Sequence, residues 1–306
     1  MALYLAKRLL FSVVTFFVIV TTVFLLLRAA PGGPFDGERS LTPQIEANLR
    51  AAYDLDAPLP AQLARYWLRL AQGDFGPSFK QKDFSVGELV ASGLPVSAAL
   101  GGGALLLALC IGLVLGMFAG MHPASGLDNM VMGLNNINLA IPTIVAAPIM
   151  VLVFSIALRA FPAGGADSPM HFVLPIVALA IPLSASIARL VRGGVREVLT
   201  EPHVRTARSK GLPELRVVRR HILPIALIPL VSYMAPAAAS LLTGSVVVEQ
   251  VFDLPGMGRY FVEGALNRDY TLVMGVTVVY AFAILTFNLM ADVLYGVLDP
   301  RIRLAS

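Results

Sequence analysis

The sequence has 306 residues, of which 57% are hydrophobic and only 14% charged, and its mean hydropathy is +0.77. Soluble domains carry roughly 25% charged residues, so a soluble enzyme is excluded and an all-α integral membrane protein is expected. The net charge of +4 is no sign of nucleic-acid binding, because the cations follow membrane topology.

Six windows free of Asp, Glu, Lys and Arg follow one another: Leu9–Leu27, Leu89–Met121, Asn129–Leu158, Ser168–Ala188, Ile222–Val248 and Tyr270–Ala291. A helix needs about 20 residues to cross the hydrocarbon, and backbone amides in lipid must bond internally, which makes each window a helix. The spans are expected at about 9–28, 97–120, 132–157, 170–190, 223–247 and 271–292 within a single domain, 1–306. An external loop at 29–96 and a cytoplasmic loop at 192–221 complete the expected layout.

Span 1 is too long for the apolar region of a signal peptide, and Arg28 and Pro31 replace a cleavage site, so it is read as retained. The segment from Arg28 to Glu88 balances seven basic residues against eight acidic ones, as an exported segment does. In span 2, Gly112, Gly116 and Gly120 form a small-residue stripe suited to close helix contact. Cys110 lies in the same apolar run; one cysteine supports neither an internal disulfide nor a metal spacing. Spans 3, 4 and 5 hold internal prolines (Pro142, Pro148; Pro175, Pro182; Pro229, Pro236), which are expected to kink them. Asn135, Asn136 and Asn138 are polar residues inside span 3, facing either a substrate path or a neighbouring helix. Glu249 and Asp253, at the outer end of span 5, are candidates for an outer gate, and Asp292 is expected to be paired structurally.

Orientation comes from the cations. Lys7 and Arg8 precede span 1, nine Lys/Arg against three acidic residues fill Arg189–His221, and Arg301 and Arg303 close the chain. With six spans all three pieces fall on one side, and the positive-inside rule makes that side the cytoplasm. Both termini are therefore expected inside.

The stretch from Arg205 to Pro224 reads RTARSKGLPELRVVRRHILP. Pro202 suits a first helical turn, His203–Lys210 supply two turns, and Gly211 can take the left-handed cap that ends them. Pro213 starts a second short helix with Leu215, Val218 and Ile222 on one face. The result is a helix–Gly–helix elbow with a cationic edge. A basic amphipathic helix on anionic headgroups would explain the charge but not the spacing from Thr206-Ala207 to Gly211 and on to Leu223-Pro224.

That spacing resembles the cytoplasmic coupling loop of ABC-importer permeases, E-A-A, three residues, Gly, nine residues, I-x-L-P. It falls here on Arg205-Thr206-Ala207, Gly211, His221 and Leu223-Pro224, with Arg205 in place of Glu and His221 in place of Ile. The Arg-Thr-Ala form resembles the peptide/nickel branch. "LRAAPGGPF", "YDLDAPLPAQLARYWLRLAQGDFGPSFK", "VVVEQVFDLPGMGRYFVEGALNRDY" and "DVLYGVLDPRIR" extend the likeness to the B-type permease subunits of oligopeptide importers over nearly the whole chain.

The resemblance implies a type I ABC-importer permease fold in a bacterial inner membrane, a related partner permease, two ABC ATPase subunits, an external peptide-binding protein and peptide as substrate. It places Arg205, Thr206, Ala207, Arg208, Lys210, Gly211, Leu223 and Pro224 at the ATPase, with Ala207 packing where a larger side chain has no room. The chain has no G-x-x-x-x-G-K-[ST] loop, so ATP and Mg are expected on the partner ATPases and no cofactor in this chain. Asn135, Asn138, Glu249 and Asp253 are the candidates for the substrate path or outer gate. The alternatives are a dipeptide or nickel permease and a secondary transporter; the latter wants mid-membrane ionisable groups, which the six windows lack. A membrane hydrolase would need a nucleophile–base pair or clustered metal ligands, and the four histidines lie scattered at loops and ends.

Overall fold

A computed structural model describes residues 2–30, 57–81 and 83–298. The Pro-Gly-x-Pro turn after span 1, much of the expected external loop, Arg301 and Arg303 lie outside the described residues. The helices are α1 (Ala2–Ala29), α2 (Leu59–Ala71), α3 (Val86–Met121), α4 (Gly126–Ala140), α5 (Thr143–Met150), α6 (Met170–Leu199), α7 (Pro202–Ser209), α8 (Glu214–Val217), α9 (Leu223–Ala226), α10 (Ile228–Val251), α11 (Met257–Leu266) and α12 (Tyr270–Leu298). Among the described residues the only β pairing is an isolated bridge between Pro77 and Ser85. Five helices, α1, α3, α6, α10 and α12, are long and apolar enough to cross a membrane; a sixth span exists if α4 and the arm Thr143–Ala157, in which a π-helical stretch Val151–Ala157 continues α5, are counted together.

Three boundaries differ from the sequence expectation, each for a local reason. Span 2 begins at Val86 rather than 97, so the external loop does not reach 96. Glu88 is a cap and not a boundary: Ser85 Oγ accepts the Glu88 amide at 3.2 Å, and Glu88 Oε2 accepts the Ser85 amide at 2.8 Å. That loop also holds the amphipathic helix α2. Span 3 is not one helix over 132–157. Pro142 disfavours helix at the residue before it, Ile141 goes extended at φ −92° and ψ 113°, and the two halves meet at 96°. Span 4 runs through Pro175 and Pro182 as one continuous helix, whereas the expected span 5 breaks at Leu227 between α9 and α10, so that Pro229 opens α10 and only Pro236 lies inside it. Finally, α6 continues through 192–199, so the loop expected at 192–221 starts only at Thr200.

The core is organised around α3 against α6. A methyl added at Gly112 would lie 2.6 Å from the Ile187 side chain and 2.9 Å from the Ser184 carbonyl oxygen. At Gly116 it would lie 2.6 Å from the Ala188 carbonyl oxygen, and at Gly120 2.8 Å from Val195. The glycine stripe of span 2 is therefore the seat of span 4, and dispersion between close backbones replaces the hydrophobic drive that lipid cannot give. Leu100, Ala104, Ala108, Ile187, Val191 and Val195 continue this core into the elbow through Val204, Val217 and Ile222. A second cluster joins the start of α3 to α11 and α12 through Val86, Leu89, Met257 and Val276. Span 1 attaches peripherally, by Val20 and Phe24 on Met274 and Val278 of α12. Leu9, Leu10, Phe11 and Val18 stay exposed, as apolar side chains facing lipid or another membrane helix do.

Candidate coupling site

The elbow forms because each residue in it ends or starts something. Glu201 is extended, Pro202 occupies the first turn of α7 where its missing N–H costs no bond, and Thr206 Oγ1 donates to the Pro202 carbonyl at 2.9 Å. Gly211 adopts φ +74°, a left-handed conformation that a Cβ disfavours. Its N–H donates to the Arg208 carbonyl at 2.9 Å, while the Lys210 N–H donates to Thr206 at 3.1 Å, so the last carbonyls of α7 are satisfied as the chain turns. Pro213 then sets α8 off in a new direction.

Beyond α8 the helix widens into a π-turn over Val218–Ile222. This changes the buried face. Leu215, Val218 and Ile222 were expected on one stripe, but the extra residue of the π-turn makes Val217 and Ile222, five apart, the buried pair. Val218 is half-buried, and Leu215 points outward, 64% exposed among Arg216, Arg219 and Arg220.

Ala207 is only 4% exposed and belongs to the same core as Val204, Val217, Ile222 and Ala226. Its small size serves packing inside the chain. Arg205, Thr206, Lys210, Gly211 and Pro224 are exposed, and Leu223 is half-buried. Arg208 is engaged: its Nη2 lies 2.5 Å and its Nε 3.2 Å from the Glu214 carboxylate, bracing the two arms of the elbow. The guanidinium holds Glu214 below the usual carboxylate range, and Glu214 holds Arg208 above its ordinary value. His203 Nε2 lies 3.2 Å from the His221 carbonyl oxygen and adds a second brace.

The elbow is joined firmly to the spans. Gly194 of α6 packs directly on the Ala226 carbonyl oxygen, leaving no room for a side chain. One turn away, Arg192 grips Asp128 at the start of α4 with two bonds, at 2.5 Å and 2.8 Å. Arg189 Nη2 donates to Asn136 at 2.9 Å. Neither Asp128 nor Arg192 was singled out from the sequence; Asp128 marked only a window edge. Its place three residues after Ser125, whose Oγ accepts its amide at 3.2 Å, is the capping signal that could have flagged it.

The candidates for path and gate separate. Glu249 is fully buried and faces neither solvent nor a path. Its Oε1 accepts Ser97 Oγ at 2.7 Å and its Oε2 the Gly258 N–H at 2.7 Å, while Ser97 Oγ accepts the Met257 N–H at 2.8 Å. The carboxylate thus caps the N-terminus of α11 from another helix, where the backbone donors of that end favour negative charge. Asp253 is exposed, held at φ +50° and paired with Arg259 Nη1 at 2.6 Å. Asn135 is 3% exposed, and its Nδ2 is without a partner among the described residues. Asn138 lines a cavity of about 230 Å³ at the break in span 3, facing Ala178, Ile181 and Pro182 of α6. Asp292 pairs with Arg8 at 3.3 Å.

The family model for the binding-protein-dependent transport system inner membrane component matches residues 112–304, from the glycine stripe through the elbow to the C-terminal segment. The chain belongs to this family. As an inner membrane transport component it is a transporter subunit and not a catalytic enzyme, and the secondary-transporter alternative falls away. Among curated relatives, the chain is 46% identical over 302 residues to the oligopeptide transport system permease protein OppB of Escherichia coli (strain K12), covering 98% of this chain and 99% of that one. It is 44% identical over 299 residues to OppB of Haemophilus influenzae, covering 97% and 98%. It is 41% identical over 304 residues to the dipeptide transport system permease protein DppB of Bacillus subtilis, covering 99% of both. Of solved structures, the MetNI methionine ABC transporter in inward-facing conformations aligns with a TM-score of 0.57 at 21% identity, over 69% of this chain and 96% of that one. An amino acid ABC transporter with histidines aligns at 0.53 and 19% identity, over 68% and 92%. These two establish the type I permease fold of this transport component.

Proposed function

We propose that the chain is the transmembrane permease subunit of an ATP-driven oligopeptide importer. It forms half of the substrate path and carries ATPase closure into alternating access. The observation that carries this reading is the 46% identity to OppB along nearly the whole of both chains, with an elbow bent at Gly211 and joined to α6 through one core. A second related permease supplies the other half of the path, two ABC ATPases bind ATP and Mg and seat against the elbows, and an external binding protein delivers peptide. Both termini face the cytoplasm, as the cations require, and the chain itself has no phosphate-binding loop.

In this reading the exposed Arg205, Thr206 and Lys210, with the outward Leu215, meet the ATPase, while Ala207, Val217 and Ile222 carry the displacement inward. Coupling of this kind requires two global states whose contacts differ. The 41% identity to DppB supports a second reading, a dipeptide importer of the same design, and substrate length separates the two.

The test is uptake of labelled di-, tri- and pentapeptides by vesicles carrying the chain with its cognate partners. Arg205→Glu with Lys210→Glu reverses charge at exposed positions and should leave insertion intact while peptide-stimulated ATP hydrolysis and uptake fall together. ATP-independent uptake, or indifference to the double reversal, would sink the proposal. Uptake confined to dipeptides would favour the second reading.

A further inference from the structure

Arg189 lies exposed in the C-terminal half of α6, the first cation after the charge-free window of span 4. Its Nη2 donates to Asn136 Oδ1 at 2.9 Å, and no carboxylate meets the guanidinium among the described residues. An arginine has five N–H donors, so most remain unused, with the two of the Asn136 side-chain amide beside them. The acidic residues of α4 and α6, Asp128 and Glu197, lie about two turns away along their helices. Asp128 is already held by Arg192. The pair therefore presents donors and positive charge without an anion, and a guanidinium fork matches the two oxygens of a carboxylate.

The surroundings of the pair identify which carboxylate. Pro182, Ser186 and Arg189 follow at spacings of four and three, and so share one face of α6. Toward Pro182 this face meets the cavity of about 230 Å³ at the break in span 3, where Asn138 and Thr143 add groups that both donate and accept. Polar side chains in a row are costly against acyl chains, so this seam faces protein or water. The rise from Pro182 to Arg189 is about 10 Å, and three residues of extended chain span about the same. A short peptide whose carboxylate rests on Arg189 thus reaches back to the cavity beside Pro182.

We propose that Arg189, positioned by Asn136, is a carboxylate subsite in the substrate path and takes the C-terminal carboxylate of the peptide. The cavity at the break in span 3 receives the residues before it, with Asn138 and Thr143 bonding main-chain groups. Recognition by the terminus and the main chain leaves the peptide's side chains unselected. This inference rests on the importer reading and adds to it a preference for a free C-terminus during passage.

The test uses the complete transporter in proteoliposomes, with its external binding protein loaded to saturation with a labelled tripeptide or with the C-terminal amide of the same tripeptide. The wild type should move the free acid about tenfold faster than the amide. Arg189→Gln should slow the acid until the two rates meet, and Arg189→Lys, which keeps the charge but not the fork, should recover part of the preference. Arg196→Gln removes another exposed cation about two turns along α6 and should leave the preference intact. Equilibrium binding of both peptides to the complex without its binding protein should show the same preference and its loss in Arg189→Gln, which separates the subsite from capture outside. Equal binding of acid and amide by the wild type, or a loss in Arg189→Gln that is the same for both, would overturn the subsite while ATP-driven uptake stands. Absence of ATP-dependent uptake of either peptide by the wild type would instead sink the importer reading, and the subsite with it.

Discussion

Asp128 and Arg192 stand 64 positions apart in the chain, yet form a two-pronged ion pair that pins the first turn of α4 to the C-terminal part of α6. Asp128 is 1% exposed and also accepts the Ala124 N–H at 3.0 Å, so its carboxylate is committed on every side. Asp128→Ala should destabilise the chain by about 3 kcal/mol, since it leaves a half-buried guanidinium without a partner. Arg192→Lys keeps the charge but not the fork, and should cost about 1 kcal/mol. Denaturant unfolding in mixed micelles ranks the two, and equal losses would refute the bidentate reading.

The glycine stripe offers an internal control. Gly116→Ala drives a methyl against the Ala188 carbonyl and should cost about 1–3 kcal/mol through separation of α3 from α6. Gly102 lies in the same helix with nothing within 4 Å of its ideal Cβ. Gly102→Ala should be neutral or stabilising by about 0.5–1 kcal/mol. Thermal melts of the two variants check the contrast.

Glu249→Ala should destabilise by about 2–4 kcal/mol, because it strands the Gly258 amide and the Ser97 hydroxyl in a buried site. The loss belongs locally to α11, so amide exchange at Met257–Leu266 should rise before that of α6. Glu249→Gln keeps one acceptor and should fall between wild type and Ala. Unchanged exchange in α11 would show that the cap is not what holds that helix.

The brace between Arg208 and Glu214 responds to acid with a definite sign. Glu214 has a folded-state pKa below its ordinary 4.5, so its contribution is complete above that value and is lost as pH falls through the lower folded one. Mild acidification above 4.5 should leave the elbow unchanged. The pair is half-exposed, which keeps the effect modest. Glu214→Gln mimics the protonated state at neutral pH and should speed amide exchange across Ala207–Val217 without lowering the global melting temperature measurably.

At Gly211 the strain is conformational, since nothing lies within 4 Å of its ideal Cβ and φ is +74°. Gly211→Asn, which tolerates the left-handed region, should retain most peptide-stimulated ATP hydrolysis. Gly211→Val should lose it about tenfold or more while accumulating normally, the bend costing of order 1–3 kcal/mol. Equal activity of the two would remove the bend from the coupling argument.

Much of this architecture was legible because it rests on short-range rules. Charge-free windows marked the apolar segments, the glycine repeat marked a close-packing face of span 2, and Pro202, Gly211 and Pro213 marked the elbow's bends. What escaped is long-range or register-dependent. No local signal says that Glu249 would reach Ser97, 152 positions away, rather than solvent. The π-turn displaced the buried stripe from Leu215 to Val217, because a period of 3.6 assumes an unbroken α-helix. Asp128 and Glu88 were read as the edges of apolar windows, when each carboxylate is there to finish a helix start.

The 30 residues of α6 amount to a rod of about 45 Å, against a hydrocarbon layer of about 30 Å. Some ten residues, from Leu190 to Leu199, must therefore project into water, and the charged side chains of Arg192, Arg196 and Glu197 fall in that overhang. The elbow is thus carried on a stalk clear of the headgroups. Gly116 and Gly120, packed on Ala188 and Val191 and on Val195, hold the base of that stalk, so tilting it would swing the start of α6 through an arc on the opposite side of the bilayer.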